Sequence, residues 1–368
     1  MTNQLIEQNT EGLRKQPRTK PLKKCLICGS DQWKSLFINP DRLHGVTGEY
    51  HYQRCNSCYT VAQNPVIVLE DLHLCYTSDY YTHCTFQLEM PETSKIVSVD
   101  ELLSNNVNFR IAVRQAIANS VRQRPTKGII GMIGKSLAYS RFLRERVFYN
   151  LVVDEMLLHS NVSKKVLDIG CGAGYLLRGL QSVGWEAEGV EWDEQAAKIA
   201  SLNSGTKVYA GDFRKLNLPL ASYDLITLTH VFEHLHDPII ALEHLKKLLT
   251  PSGRIVMITP NPTSLGAKLF KKYWYPWEVP RHLVLLSPRG YFLAAKKTGL
   301  NLTKIRTLSR WATLFSSRSR AYRSGFIGNE AETASPNSFD KMNHLIESLL
   351  VFVGFKVGEE ILTVFEKT

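Results

Sequence analysis

The 368-residue chain predicts a doubly wound α/β sheet, on three observations. Val166-Leu167-Asp168-Ile169 is a short apolar run, as a buried parallel strand reads, and it breaks at once into alternating glycines. Tyr175 to Val183 is amphipathic and reads as the helix that starts at that turn. Strand and helix patterns then alternate from residue 164 to about 307, as such a sheet requires. Together these place a nucleotide-type pocket at the carboxyl end of the sheet. Glycines there let the backbone pass under a ligand where a side chain would collide.

The glycines at 170, 172 and 174 do not make a dinucleotide fingerprint, because Tyr175 stands where its third glycine belongs. No lysine follows as a phosphate-binding loop would need. A ligand without phosphates fits better: an adenosine carrying a charged amino-acid tail. Glu186–Glu191 reads as a second strand whose terminal carboxylate, Glu191, is placed to accept both ribose hydroxyls. Val208-Tyr209-Ala210-Gly211-Asp212-Phe213 is a third strand followed by an acid for an exocyclic amine and an aromatic for an adenine face.

These residues resemble the class I S-adenosylmethionine-dependent methyltransferases. Val166–Tyr175 is similar to their glycine-rich first motif, Glu191 to the ribose acid, and Asp212 with Phe213 to the adenine site. Tyr223–Leu228 is similar to their fourth strand, Thr229-His230-Val231-Phe232-Glu233-His234 to the turn after it, and Leu248–Ile258 to the fifth strand with its loop. The resemblance implies a Rossmann-like seven-stranded sheet with an antiparallel last strand. It makes 302–307 and 360–366 partners. It also implies S-adenosylmethionine as cofactor, held by Asp168, Gly170, Gly172, Gly174, Glu191, Asp212, Phe213 and Thr229.

Cys25-x-x-Cys28 and Cys55-x-x-Cys58 form two knuckles around a strand-rich spacer, which a hairpin extended at His44-Gly45 absorbs. Four thiolates complete a closed tetrahedral zinc site, structural because no position stays open for substrate water. A redox dithiol is the weaker reading, since neither pair sits on a thioredoxin-like unit. Cys75, Cys84 and Cys171 are assigned no chemistry.

The formal net charge of +11 favours anionic partners such as nucleic acid, a membrane surface or a phosphorylated substrate. The knuckles lack a dense basic stripe with interleaved aromatics, apart from Lys20, Lys23 and Lys24, so nucleic acid is disfavoured. No apolar stretch is long enough to span a bilayer, and the first twenty-four residues lack the core of a secretory signal. A cytoplasmic location is the default expectation, and an odd count of seven cysteines agrees with metal or free thiols there.

Four parts follow: a flexible arm (1–21), a zinc ribbon (22–81), a helical cap or linker (82–160) and a catalytic domain (161–368) with an insertion at 311–345. Tyr76, Tyr80 and Tyr81 fit either a pocket mouth or interdomain packing. Residues 92–160 read as mostly helix broken near Pro125 and Gly128; Arg141, Arg144 and Arg146 make the second part basic. A membrane-surface helix has this pattern, so peripheral contact stays open, but a cap is the preferred reading. Segment 311–340, rich in Ser, Arg, Gly and Asn, is expected to loop out, with Ile346–Val353 apolar.

Ribbon and core together, with Thr259-Pro260-Asn261-Pro262 and Pro280–Ser287, resemble the broad "methyltransferase type 23" group, and the metal-bearing front end resembles sugar C-methyltransferases. This implies a small-molecule acceptor, first of all a sugar or cell-surface glycan precursor, nucleotide- or lipid-linked. The alternatives are an aromatic or quinone metabolite methylated on oxygen, and an RNA-binding methyltransferase. Thr229-His230-Val231-Phe232 stands where nucleobase amine enzymes carry an Asn/Asp-Pro-Pro-aromatic turn, and no cysteine is placed for cytosine C5 attack, so oxygen or carbon methylation remains. His282 is the first candidate base and His230 the second. In the sugar enzymes a Glu precedes that histidine; here Arg281 does, and it is a candidate anchor for an anionic substrate group. Trp274, Tyr275 and Trp277 fit a substrate wall or cap packing equally.

Overall fold

The computed structural model describes residues 16–76, 128–141, 151–158 and 164–367, with single positions between 113 and 144. Tyr80, Tyr81, Cys84 and Arg146 lie outside the described residues.

The front end is all β. β1 (Thr19–Lys20) pairs antiparallel with β5 (Val66–Ile67). β2 (Trp33–Asn39) and β3 (Tyr50–Cys55) form the long hairpin expected from the cysteine spacing, and β4 (Val61–Gln63) continues it. The helix α1 (Gly128–Ala138) follows, and a Cβ at Gly134 would lie 2.4 Å from that of Ala116, so only glycine permits this approach.

The second part runs β6 (Lys165–Ile169), α2 (Tyr175–Ser182), β7 (Glu186–Glu191), α3 (Glu194–Ser204), β8 (Val208–Ala210), β9 (Tyr223–Thr229), α4 (Pro238–Leu248) and β10 (Leu249–Pro260). Then come α5 (Leu265–Phe270), β11 (Val284–Leu285), α6 (Pro288–Thr298), β12 (Leu300–Leu308), α7 (Ala312–Arg323), α8 (Gly328–Glu332), α9 (Ser338–Phe352) and β13 (Glu360–Lys367). Helix boundaries follow local chemistry. Asp193 caps α3 by accepting from the Ala196 N–H, Gly205 ends it in the left-handed region, and Ser287 with Pro288 starts α6.

The seven-stranded sheet has the order β12-β13-β10-β9-β6-β7-β8. Strands β6 to β10 are parallel, whereas β13 is antiparallel to both β10 and β12, with Leu302 opposite Phe365 and Thr307 opposite Ile361. The doubly wound sheet with an antiparallel last strand is therefore present as expected. Strand order reverses between β6 and β9, and a ligand crevice forms outside the carboxyl ends at such a point.

The front end is sewn onto this sheet's loops. β11 leaves the second part to become the edge of the front end's own sheet (β11-β4-β3-β2), with Val284 opposite Ala62. The Tyr52 hydroxyl donates to the His282 carbonyl at 2.8 Å, and the Ser287 hydroxyl to that of Cys58 at 2.5 Å. Cys25, Ile27, Cys55 and Cys58 share one apolar cluster with Phe213, Leu218 and Tyr291.

Segment 311–340 does not loop out; it forms α7, α8 and the start of α9. Ser316, Ser317 and Ser319 are buried and satisfied. Ser319 bonds back to the Phe315 carbonyl at 2.6 Å, and Ser316 reaches Asp340 at 2.7 Å. Small hydroxyls that find such partners can line a helix interface as well as apolar groups do.

Candidate functional site

The carboxyl ends of β6 and β7 build one half of the crevice from backbone. Gly170, Gly172 and Gly174 all have positive φ (68°, 51° and 84°), the region that favours glycine. A Cβ at Gly170 would fall 2.3 Å from Val231, and one at Gly174 2.8 Å from the Ala200 carbonyl oxygen. Glu191 faces this turn: one oxygen accepts from the Gly172 N–H at 2.8 Å, the other from Trp192 at 2.8 Å. Burial raises its pKa while these N–H groups pull the other way. Asp168, at the end of β6, accepts the Thr227 hydroxyl at 2.7 Å, and burial pushes its pKa up to about 7. Thr229 ends β9 with its hydroxyl buried and without a hydrogen-bond partner. Six of the expected cofactor residues thus lie at the carboxyl ends of the neighbouring strands β6, β7 and β9.

The other two differ from expectation. Both Asp212 oxygens are taken by the Arg214 guanidinium at 2.9 Å. Burial opposes the Asp212 charge, but Arg214 outweighs it and the pKa is lowered. Phe213 is 4% exposed and packs in the core, edge-on to His244 at 5.8 Å, so it is not an open platform for a base.

The ends of β9, β10 and β13 build the opposite half from charges. His230 takes a left-handed conformation (φ 55°), unusual away from glycine, and its N–H bonds the Ile258 carbonyl at 2.8 Å. Its Nε2 lies 2.9 Å from Glu360 and its Nδ1 3.4 Å from Glu233. Burial alone would lower its pKa, yet the two carboxylates raise it to about 10. Arg310 closes the chain on Glu360 at 2.9 Å. His230 is accordingly an imidazolium at neutral pH, which corrects its expected role: it holds no free lone pair to act as base.

His282 is the reverse case. Its Nδ1 lies 2.9 Å from the Pro276 carbonyl, which only accepts, so Nδ1 carries the proton and Nε2 the lone pair. Burial brings its pKa down to about 4. Nε2 faces Glu278 at 3.5 Å and Glu233 at 3.8 Å. Neither Glu233 oxygen completes a hydrogen bond, although the residue is only 1% exposed. Burial works against its charge, but the neighbouring histidines keep its pKa below the usual value. Glu233, His234 and His282 bring one donor atom each within 4.8 Å of one another. His234 Nδ1 is already shared between the Tyr76 hydroxyl at 3.0 Å and the Arg281 carbonyl at 3.1 Å.

Arg281 does not face a substrate. It is fully buried in a bidentate pair with Asp41 (2.9 and 3.1 Å), with Glu278 at 3.2 Å. The carboxylates beside His282 therefore come from Glu278 and Glu233 rather than from the preceding residue. Among the charged residues around the two histidines, Glu278, Glu360 and Arg310 left no signal in the sequence. Trp274 and Trp277 are packing residues, 4.9 Å apart edge to face, and the Trp274 indole donates to Glu359 at 2.6 Å.

Away from the crevice, the four cysteines converge as expected, all four sulfurs within 4.8 Å of one another. Cys25 and Cys58 are 3.6 Å apart, Cys28 and Cys55 3.4 Å. Tetrahedral zinc with bonds of about 2.3 Å sets its sulfurs roughly 3.8 Å apart, so the quartet fits the ion. Both knuckles turn alike: Gly29 and Tyr59 follow the second cysteine with positive φ (78° and 62°) and donate to the first cysteine's carbonyl.

Residues 139–305 match the Methyltransf_23 family model, described as a methyltransferase domain. A ubiquinone biosynthesis O-methyltransferase of Nitrosomonas europaea is 28% identical over 142 residues, covering 36% of this chain and 57% of the relative. One from Idiomarina loihiensis is 34% identical over 107 residues, covering 27% and 43%. The chain spans about half the length of these curated relatives. Among solved structures, a SAM-dependent methyltransferase of Archaeoglobus fulgidus is 21% identical with a TM-score of 0.40, covering 65% of this chain and 100% of that one. Another from Thermotoga maritima, titled a possible histamine N-methyltransferase, is 16% identical with a TM-score of 0.40, covering 62% and 95%. Sheet order and the match over residues 139–305 together show a Rossmann-like fold with a methyltransferase domain.

Proposed function

We propose that the protein transfers the methyl group of S-adenosylmethionine to an oxygen or carbon of a small molecule. The observations that support this reading are a glycine turn facing Glu191 at the ends of β6 and β7 and, after β10, a neutral His282 beside two carboxylates. Asp168, Gly170, Gly172, Gly174, Glu191 and Thr229 would hold the cofactor, and the buried, unpartnered Thr229 hydroxyl is a polar group such a ligand satisfies. Bound there, the cofactor supplies an electrophilic methyl on a good leaving group.

The acceptor's proton goes to His282 Nε2. Glu278 and Glu233 stabilise the imidazolium that forms, and the Pro276 carbonyl holds the ring in the correct tautomer. His230, ion-paired with Glu233 and Glu360, fixes the Glu233 carboxylate in place beside His282. An aromatic or quinol hydroxyl suits such a site. Two findings support that acceptor: the relatives are named ubiquinone biosynthesis O-methyltransferases, and Arg281, the candidate anchor for an anionic substrate group, is locked on Asp41. The sugar-precursor reading rests on the cysteine front end, which β11 stitches to the His282 loop.

Structural zinc on Cys25, Cys28, Cys55 and Cys58 belongs to the same proposal. It fastens the ribbon that grips this loop through Tyr52 and β4. The test is labelled methyl transfer from S-adenosylmethionine to a panel of quinols, catechols, nucleotide sugars, glycan lipids and RNA. Transfer to a phenolic hydroxyl supports the reading, transfer to nucleotide sugars alone moves it to the sugar, and no donor binding by calorimetry overturns it.

A further inference from the structure

Helix α9 is inside out. Its inward face carries Asp340, Asn343 and Glu347, all buried. Asp340 is held by the Ser316 hydroxyl at 2.7 Å and Arg320 at 3.0 Å, and Glu347 accepts the Glu359 N–H at 3.0 Å. On the outward face Met342, Leu345, Leu349 and Phe352 are 60%, 69%, 61% and 87% exposed. At about 100° per residue those four fall within an arc of roughly 80°, diametrically across the helix from the buried polar residues. Phe339 and Ile346 flank the stripe, and Val353 and Phe355 prolong it past the helix end, all exposed.

So large an apolar strip on one surface element marks an interaction site. Its charge says what kind. From Ser338 to Lys356 the exposed positions carry only two charges, Lys341 and Lys356, both positive, while both acids of that segment point inward. At the helix start the Arg323 guanidinium lies 5.0 Å over Phe270, whose ring meets Phe339 edge-on at 6.5 Å, and Lys268 and Lys271 are exposed nearby. The whole chain carries +11.

We propose that α9 lies in the plane of an anionic lipid surface, its apolar stripe at the acyl boundary and its lysines among the headgroup phosphates. A helix with an apolar face, cationic flanks and fifteen residues binds this way without crossing the bilayer. Two copies meeting face to face would instead bring only like charges to the contact. This differs from the basic cap helix considered in the sequence, because Arg141 and Arg144 are committed to Asp154. It does not rest on the methyl-transfer reading.

Vesicle flotation of the full-length protein tests it, with phosphatidylglycerol mixed into phosphatidylcholine and with phosphatidylcholine alone. Binding is expected to the anionic vesicles, weakening with salt. Leu345→Glu with Leu349→Glu should reduce it more than tenfold, and Lys341→Gln or Lys356→Gln about fivefold each. These positions are exposed, so the melting temperature and donor binding should stay as in the wild type. The proposal is overturned if the wild type fails to float, or if the double glutamate variant floats equally well. It is also overturned if the wild type is a dimer that this variant dissociates while vesicles go unbound; the face then docks a second copy.

Discussion

The two halves of the crevice are built by opposite means. The ends of β6 and β7 are shaped by backbone: three glycines with positive φ and a carboxylate held by main-chain N–H groups, all between residues 168 and 193. The ends of β9, β10 and β13 are shaped by ionised side chains far apart in sequence, with His230 and Glu360 separated by 130 positions. Backbone geometry suits the half proposed to hold the cofactor, whereas ion pairs suit the half proposed to receive the acceptor. One disruption of each half should therefore fail differently, the first in binding and the second in chemistry.

The largest effect is expected at the glycine turn. Gly170→Val forces a β-branched residue into a φ of 68° and against Val231, where a Cβ alone would already lie 2.3 Å away. Calorimetry should show no donor binding, together with a lower melting temperature. Retention of wild-type affinity would mean that the turn is not the cofactor cradle.

His282→Ala should leave donor affinity unchanged and slow turnover by about 10²–10⁴-fold, the range general-base catalysis supplies. Single-turnover methyl transfer separates the two quantities. With the His282 pKa at about 4, the wild-type rate should also lack the fall below pH 6.5 that an ordinary histidine base would impose. A rate that halves near pH 6.5 would remove His282 from the role.

Glu191→Gln comes next. Charge-assisted hydrogen bonds contribute about 1.5–3 kcal/mol each, so losing the charge should weaken donor binding about ten- to a hundredfold, with turnover at saturation little changed. An equal loss in both would tie the two halves more closely than their construction implies.

The same contrast explains what could be read beforehand. The glycine turn, Glu191 and both cysteine knuckles are local patterns, and each was visible within a dozen residues. The pairing of His230 with Glu360 was not, because β13 returns from the far side of a helical insertion to place Glu360 beside it. Arg281 looked like a substrate anchor because sequence shows its charge but not Asp41, which lies 240 positions away and is buried with it. The insertion itself misled for another reason. Apolar periodicity marks the inward face of a helix only when the core is apolar. Here α7 and α9 meet through Ser316, Asp340 and Arg320, and the apolar side of α9 faces out.

The smallest expected effect tests the charged half by its proton linkage. The folded pKa of His230, about 10, stands above its unfolded value of about 6.5. A group raised on folding stabilises the protein fully below its unfolded pKa, and that stability is lost as pH rises through the folded one. The window is thus pH 6.5 to 10. Glu360, held down to about 2 by Arg310 and His230, stays ionised throughout, so the imidazolium is what changes. The wild-type melting temperature should therefore fall across this window relative to that of His230→Gln, the gap being widest near pH 6.5 and closing toward pH 10. Parallel curves would mean that His230 is neutral in the fold, and the electrostatic account of the acceptor side would fail there, leaving the glycine half untouched.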